Sequence, residues 1–151
     1  MKLSDMMRYV IQDVERETVP LEMEVQYIRH YVDFQKLRLS DNVDLQLKIT
    51  GDCDAFAIPP MILIPFVENA FKFGTSSHEK AVIIITIRVD AEFLKFRASN
   101  QLFPGREVRD TFGIGINNTR QRLQLIYPDK HELRLTNNGR IFIVDLNIQM
   151  A

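Results

Sequence analysis

Hydrophobic residues recur along the chain with two different periods, and these periods predict its helices and strands. Between Leu21 and Leu39 they recur every three or four positions, which is typical of an amphipathic helix. Between Val43 and Ile49 they alternate with polar residues, which is typical of a half-buried strand. The same patterns predict helices over residues 4–14, 61–73 and 116–127, and strands over residues 54–58, 81–89, 93–99, 132–136 and 140–148.

Capping residues, prolines and glycines mark where these elements begin and end. Ser4 is predicted to cap the first helix, unless that helix is already under way at the first residues. Pro65 interrupts the apolar run at residues 58–67, so this helix either kinks or begins afresh there. Asn138-Gly139 is a strong hairpin signal between the last two strands. The order of the elements predicts the α+β class, a two-layer sandwich in which helices cover one face of a mixed sheet.

Composition, charge and cysteine content narrow the classes of protein that fit this pattern. The 151 residues suffice for one domain with a core, and the net charge of −1 gives no electrostatic basis for binding nucleic acid or an anionic membrane. The single cysteine, Cys53, excludes an internal disulfide framework. No apolar run reaches the roughly 18 residues of a membrane span, and no signal peptide is visible. The abrupt, helix-like start predicts a piece of a longer protein.

A cluster of polar residues on an otherwise apolar helix is the first candidate site. Glu68, Asn69 and Lys72 lie within five positions of one another, between Pro65 and Gly74. An amide oxygen is a ligand that Mg²⁺ accepts, and an amine three residues further on would face phosphates from the same side of the helix. The alternative is that Glu68 and Lys72 form a simple i,i+4 ion pair and that Asn69 is a solvated residue.

A glycine turn before the last predicted helix is the second candidate site. Gly113 and Gly115 allow close approach of the backbone, and the N–H groups at the start of the following helix could bind phosphate. Arg120 and Arg122 could also reach phosphates. Alternatively, the glycines form only a tight turn and the two arginines are solvated. The irregular segment 100–112 is long for a compact domain, which indicates a functional or mobile loop.

In combination, these segments resemble the sensor histidine kinases of the LytS/YehU type. Residues 59–74 resemble the N box of that family, and residues 113–123 resemble its second glycine box. Residues 3–9 resemble the end of its phosphoacceptor helix, and residues 19–38 resemble the helix that precedes its sheet. The matching segments occur in the family's order and together span nearly the whole chain.

The resemblance implies the Bergerat (GHKL) ATP-binding fold and assigns roles to the candidate residues. Asn69 would ligate a Mg²⁺ ion that bridges the phosphates of ATP, Lys72 would contact phosphate, and Glu68 would assist catalysis. Gly113 and Gly115 would hinge a lid formed by residues 101–112. The full cofactor-binding set that the resemblance implies is Asn69, Lys72, Asn100, Gly113, Gly115, Asn118 and Arg120.

Three departures from the family pattern bear on this function. Asn100 occupies the place of the aspartate that accepts a hydrogen bond from the adenine amino group, so that contact would lack charge. Phe73 stands where the family often has a histidine. The histidines His30, His78 and His131 lack the sequence context of the phosphoacceptor, which is therefore expected to lie outside this chain.

The resemblance therefore implies a protein-histidine kinase domain that binds Mg–ATP and transfers the γ-phosphoryl to a histidine outside this chain. Residues 1–18 would be the end of the dimerisation and phosphoacceptor helix, and residues 19–151 the ATP-binding domain. Its partners would be the phosphoacceptor helix, a second copy of the parent and, indirectly, a response regulator, in the cytoplasmic part of a bacterial inner-membrane sensor. Two alternatives stay open: a non-catalytic module that binds other proteins, which Asn100 and Phe73 motivate, and another ATPase of the same fold.

Overall fold

The computed structural model describes residues 2–76, 78–103 and 114–150, and the predicted helices and strands are all present in this part of the chain. The helices are α1 (Lys2–Arg8), α2 (Leu21–Lys36), α3 (Ile64–Gly74) and α4 (Ile114–Ile126), with a π-helical turn at Tyr9–Asp13 after α1. The strands are β1 (Val19–Pro20), β2 (Val43–Thr50), β3 (Ala57–Ile58), β4 (Ala81–Val89), β5 (Phe93–Gln101), β6 (His131–Asn137) and β7 (Ile141–Gln149). No helix in the described residues is both long enough and apolar enough to cross a bilayer.

The chain divides into two units, and the first contains residues 1–39 and 52–64. In this unit β1 pairs with β3 in antiparallel orientation, a pairing that the sequence pattern did not predict. Helix α2 follows Pro20 without a side-chain cap, and its first amides donate instead to the carbonyls of Phe56 and Cys53, at 2.9 and 3.1 Å. The apolar stripe predicted for this helix is buried, at Leu21, Val25, Ile28 and Val32.

The N-terminal helix differs from its prediction in two respects. Ser4 does not cap it, because the helix is already under way at Lys2 and Ser4 lies inside its first turn. The buried residues are Tyr9 and Asp13, and the ring of Tyr9 packs on that of Tyr27 with centroids 5.1 Å apart. The apolar residues of this segment face outward instead: Leu3, Met7, Val10, Ile11 and Val14 are all exposed.

The second unit, residues 40–51 and 65–151, is built on a five-stranded sheet. The strand order is β2-β4-β5-β7-β6, in which β2 and β4 are parallel and the other pairs are antiparallel. The Asn138-Gly139 turn joins β6 and β7 as predicted, with Gly139 at a φ of 85°. The predicted mixed sheet and the α+β class are therefore confirmed.

One face of this sheet is covered and the other is open to solvent. The register places Ile85, Ala98 and Val144 side by side on the covered face, where all three are buried. On the open face Arg97 forms an ion pair with Asp145, with Nε and Oδ1 3.2 Å apart, and both side chains are partly exposed. Buried and exposed side chains thus alternate along each strand, as in an antiparallel sheet with one solvent-exposed face.

Helix α3 packs on the covered face of the sheet. The ring of Phe66 in α3 lies on that of Phe96 in β5, with centroids 5.9 Å apart. At the other end of the helix, Gly74 lies against Asn100 and Ile83. Because both ends of α3 contact neighbouring strands, the helix and the polar residues on it are held against the sheet.

Candidate functional site

Helix α3 carries the first predicted cluster, and its sequence sets both its start and its faces. The helix begins at Ile64, so Pro65 lies in the first turn, where the missing N–H of a proline is not needed. Of the two predicted outcomes at Pro65, a fresh start rather than a kink is therefore confirmed. Glu68 and Lys72 face outward, whereas the buried residues of the helix are Ile64, Phe66, Val67, Asn69, Ala70, Phe71 and Phe73.

Asn69 is a buried polar residue whose amide nitrogen has no hydrogen-bond partner among the described residues. The residue is only 8% exposed, and its Nδ2 makes no hydrogen bond within the described part of the chain. A buried polar atom normally finds a partner, so an unpaired one indicates a ligand or another unfilled interaction. The Oδ1 atom of the same carboxamide is the kind of oxygen that ligates a hard cation such as Mg²⁺. Asn69 therefore fits the role that the sequence predicts for it.

A Mg²⁺ ion at Asn69 would have to take most of its ligands from elsewhere. Among the described residues there is no group of three or more His, Cys, Asp or Glu side chains that could hold a metal ion. Mg²⁺ commonly binds through one or two protein oxygens, with phosphate oxygens and water completing its shell. The donor set thus suits an ion brought in with a nucleotide rather than an ion caged by protein alone.

Glu68 and Lys72 lie on the outward side of α3 and do not form an ion pair with each other. Among the described residues Glu68 forms no ion pair, and partial burial raises the pKa of its carboxyl group. The amine of Lys72 lies 5.2 Å from the centroid of the Phe73 ring, a cation–π geometry. The simple i,i+4 ion pair is therefore absent, and a carboxylate and an amine remain on the same side of the helix.

The raised pKa of Glu68 leads to a pH-dependent prediction for Glu68→Gln. A carboxyl whose pKa is higher in the folded state contributes its full stability below the unfolded pKa and loses it as pH rises through the folded pKa. The neutral glutamine avoids this loss, so we expect the variant to melt about 1–2 °C higher at pH 7.5, a small effect because Glu68 is only partly shielded from solvent. At pH 4 the two melting temperatures should converge. Glu92→Gln, in an exposed turn, is the control, and an equal shift at both pH values would contradict the prediction.

Asn100 lies beside the C-terminal end of α3. It is buried in β5, and its Nδ2 donates to the carbonyl of Gln101 at 3.0 Å. A Cβ atom on Gly74 would come within 2.6 Å of the Cβ of Asn100 and 3.2 Å of Cγ1 of Ile83. Only a glycine therefore lets the helix end approach β5 this closely. The structure thus brings the end of the first motif next to the residue predicted to contact the base.

The start of α4 lies beside the start of α3. Gly115 is in the first turn of α4, and a Cβ atom on it would lie 3.8 Å from the Cβ of Pro65. The two motifs, forty residues apart in sequence, are thus neighbours at this point. Gly113 and most of the predicted lid fall outside the described residues. Asn118 and Arg120 are on α4 and are exposed.

One residue near this site was missed by the sequence reasoning. Thr119 is buried, and its hydroxyl donates to the carbonyl of Gly115 at 2.9 Å. A threonine four residues after a glycine in a helix often makes this backbone bond, so its position was a usable signal. The bond ties Thr119 to the first turn of α4, whose N–H groups are the predicted phosphate donors.

Comparison with known proteins gives consistent matches in sequence and structure. The model of the histidine kinase family matches residues 1–43. An uncharacterised sensor-like histidine kinase of Staphylococcus epidermidis is 31% identical over 139 residues, which is 83% of this chain and 27% of that protein. The catalytic domain of histidine kinase ThkA superposes with a TM-score of 0.58 at 14% identity, covering 88% of this chain and 94% of that domain. Full-length ShkA in complex with AMPPNP gives 0.59 at 15% identity, covering 99% of this chain and 35% of that protein.

Two features define the class of the protein. The mixed sheet is covered on one face only, and helices α3 and α4 bring the two sequence motifs together. The fold is that of the catalytic domains of histidine kinases, as the sequence resemblance predicted. The chain belongs to the histidine kinase family, and its sequence relatives are sensor kinases. It spans about a quarter of the length of the curated relative to which it is compared.

Proposed function

We propose that this chain binds Mg–ATP and presents the γ-phosphoryl group to a histidine of a longer parent protein, as the catalytic domain of a protein-histidine kinase. The observation that carries the proposal is the buried amide nitrogen of Asn69 on α3, which has no hydrogen-bond partner in the part of the chain that the structure describes. A buried polar group without a partner costs about 1–3 kcal/mol, so a ligand that pairs with it explains why it is there. The start of α4, which lies beside Pro65 at the start of α3, would supply the phosphate-binding N–H groups that such a ligand needs.

The residues on α3 would act on the phosphate end of the nucleotide. Asn69 would hold the Mg²⁺ ion, which would neutralise negative charge on the phosphates and orient them. Lys72, whose amine is on the outward side of the helix, would contact a phosphate oxygen. Glu68 carries a carboxyl with a raised pKa, and it would accept a hydrogen bond or a proton close to the transferred group.

The residues on β5 and α4 would hold the rest of the nucleotide. Asn100 donates its Nδ2 to Gln101, and this leaves its Oδ1 as a neutral acceptor for the amino group of adenine. The first N–H groups of α4 would donate to phosphate, and Gly115 would let the backbone approach it. Gly113 would hinge the lid over residues 101–112, and exposed Asn118 and Arg120 would complete the binding set, which we retain as part of the proposal.

The surroundings of this domain would be those of a two-component sensor. Residues 1–18 would be the end of a dimerisation helix, and the exposed apolar side chains of Leu3, Met7, Val10 and Val14 suit pairing with other helices. The histidine that receives the phosphoryl group would lie on the same helical segment of the parent. The phosphoryl group would then pass to a response regulator, in the cytoplasmic part of a membrane-bound protein.

Titration calorimetry of the 151-residue chain with Mg–ATP tests the proposed function. We expect saturable binding with a Kd below about 1 mM, the upper end of ordinary nucleotide affinities, and weaker binding when EDTA removes Mg²⁺. Incubation with γ-labelled ATP should leave the chain unlabelled, because the acceptor histidine is expected elsewhere. An absence of heat at millimolar Mg–ATP would contradict the proposal and favour a non-catalytic module of the same fold.

A further inference from the structure

The first unit contains a fully buried carboxylate that plays no part in the nucleotide site proposed above. Glu24 on α2 is 0% exposed. Its Oε2 accepts hydrogen bonds from the hydroxyl of Tyr9 and from the amide of Met61, the latter at 2.9 Å. Its Oε1 accepts from the amides of Leu63 and Ile64, at 2.9 and 3.4 Å. We call these five residues the Glu24 network.

The Glu24 network is chemically complete. A buried carboxylate is very unfavourable unless donors surround it, and here each oxygen accepts at least two bonds. The amide of Met61 also donates to the hydroxyl oxygen of Tyr9 at 3.3 Å. Burial raises the pKa of Tyr9 well above its ordinary value, and the nearby charge of Glu24 raises it further. Tyr9 therefore stays protonated and remains a donor.

The backbone that Glu24 holds is strained and leads directly into α3. Met61 has a φ of 62°, in the left-handed region that residues other than glycine rarely adopt. The amides of Leu63 and Ile64 come just before and at the first residue of α3, where helix N–H groups have no partner within the helix. Glu24 thus caps α3 from a distant part of the sequence. Asn69 follows in the same helix, five residues after Ile64.

The other end of the Glu24 network is attached to the N-terminal helix. Tyr9 is the first residue of the π-helical turn, in which the amide of Val14 donates to the carbonyl of Tyr9 at 3.1 Å. A π-helical turn holds one residue more than an α-helical turn and is often found at functional sites. Conversion to α spacing would shift the register by one residue and rotate α1 by about 100° relative to the segment that follows. Such a rotation would withdraw the Tyr9 hydroxyl from Glu24.

We propose that Glu24 and Tyr9 are positioning residues that transmit the orientation of the N-terminal helix to the start of α3, and through it to Asn69. While the hydroxyl of Tyr9 donates to Glu24, the carboxylate of Glu24 is held in one position and α3 begins at a defined residue. Without that bond the carboxylate is less well satisfied, and the capped segment 61–64 loosens. The effect on Asn69 rests on the proposed nucleotide site, whereas the loosening of segment 61–64 does not.

Three single variants of the full chain test this inference. Tyr9→Phe removes one hydroxyl and retains the ring that packs on Tyr27. Glu24→Gln replaces one acceptor oxygen by a donor. Glu22→Gln makes the same chemical change two residues earlier on α2, where the side chain is partly exposed and bonds only to Gln26 among the described residues, so it is the matched control.

Hydrogen exchange without nucleotide and calorimetry with Mg–ATP are the two readouts, both at a temperature at which circular dichroism shows every variant folded. We expect Tyr9→Phe and Glu24→Gln to lose exchange protection at the amides of Met61 and Leu63 and to bind Mg–ATP about tenfold more weakly. Glu22→Gln should match the wild type in both. A merely structural role would lower the melting temperature and leave the affinity of the folded chain unchanged.

The outcomes separate this inference from the proposed function. If the wild type binds Mg–ATP and Tyr9→Phe binds it equally well, the positioning role is wrong and the proposed function stands. If the wild type binds no Mg–ATP, the proposed function fails, and hydrogen exchange at the amides of Met61 and Leu63 in Tyr9→Phe decides whether Tyr9 and Glu24 position the start of α3. If Glu24→Gln does not fold, Tyr9→Phe alone decides, since it removes a single oxygen atom.

Discussion

Asn69→Ala should weaken the binding of Mg–ATP by about 100-fold or more and leave the fold intact. The expected loss is large because the side chain would provide the protein's oxygen ligand to the ion. The expected stability is unchanged or slightly higher, because the substitution removes a buried amide nitrogen that makes no hydrogen bond to any described residue. A loss of binding without a loss of stability is the signature of a ligand-holding residue rather than of a core residue.

Calorimetry with and without Mg²⁺ and thermal melting of the same samples measure this outcome. Asn147→Ala is the matched control, since Asn147 lies on β7, on the open face of the sheet. It should bind Mg–ATP as the wild type does. If Asn69→Ala binds Mg–ATP with unchanged affinity and Mg²⁺ dependence, Asn69 is an ordinary helix residue and does not hold the ion.

Gly74→Ala should destabilise the fold by about 1–3 kcal/mol. The added methyl group would approach the Cβ of Asn100 to 2.6 Å, a distance at which either α3 or β5 must move. The contact is with the Cβ of Asn100, which is fixed by the backbone of β5, so rotation of the side chain cannot relieve it. Because the displaced residue is the proposed base contact, Mg–ATP affinity should fall together with stability.

Gly115→Ala is the control for this second prediction, because the same change is made where space exists. Its Cβ would lie 3.8 Å from Pro65, an ordinary contact, and alanine favours the helical conformation by up to about 1 kcal/mol. Chemical denaturation of both variants should therefore show a loss for Gly74→Ala and no loss for Gly115→Ala. Equal stability of the two would mean that α3 and β5 adjust more freely than their packing indicates.

The sheet and most helices could be predicted from the sequence because their patterns are local. Alternation over residues 43–49 and the Asn138-Gly139 turn each specify a strand or hairpin within a few positions. The pairing of β1 with β3 could not be predicted, since two strands of two residues each carry no period. The π-helical turn at Tyr9–Asp13 could not be predicted either, because its sequence pattern looks like that of an ordinary α-helix.

The candidate site shows the same division between local and distant information. The sequence places Asn69, Glu68 and Lys72 on one helix, and the structure adds that Asn69 alone of the three is buried. The approach of Gly74 to Asn100 depends on how α3 packs on β5, which no single segment encodes. Glu24 was missed because a glutamate in an amphipathic helix normally belongs to the solvent face.

The parallel pairing of β2 with β4 also affects how the protein folds. The loop between them runs over residues 51–80 and contains the whole of α3, whereas residues 138–140 suffice to join β6 and β7. Closing a loop about ten times longer costs about 2 kcal/mol more chain entropy, so the edge strand β2 is the part of the sheet whose pairing is least favoured early in folding. Helix α3, with the proposed Mg²⁺ and phosphate residues on it, lies within that loop, so a nascent chain gains this helix only after the rest of the sheet provides a surface on which the loop can close.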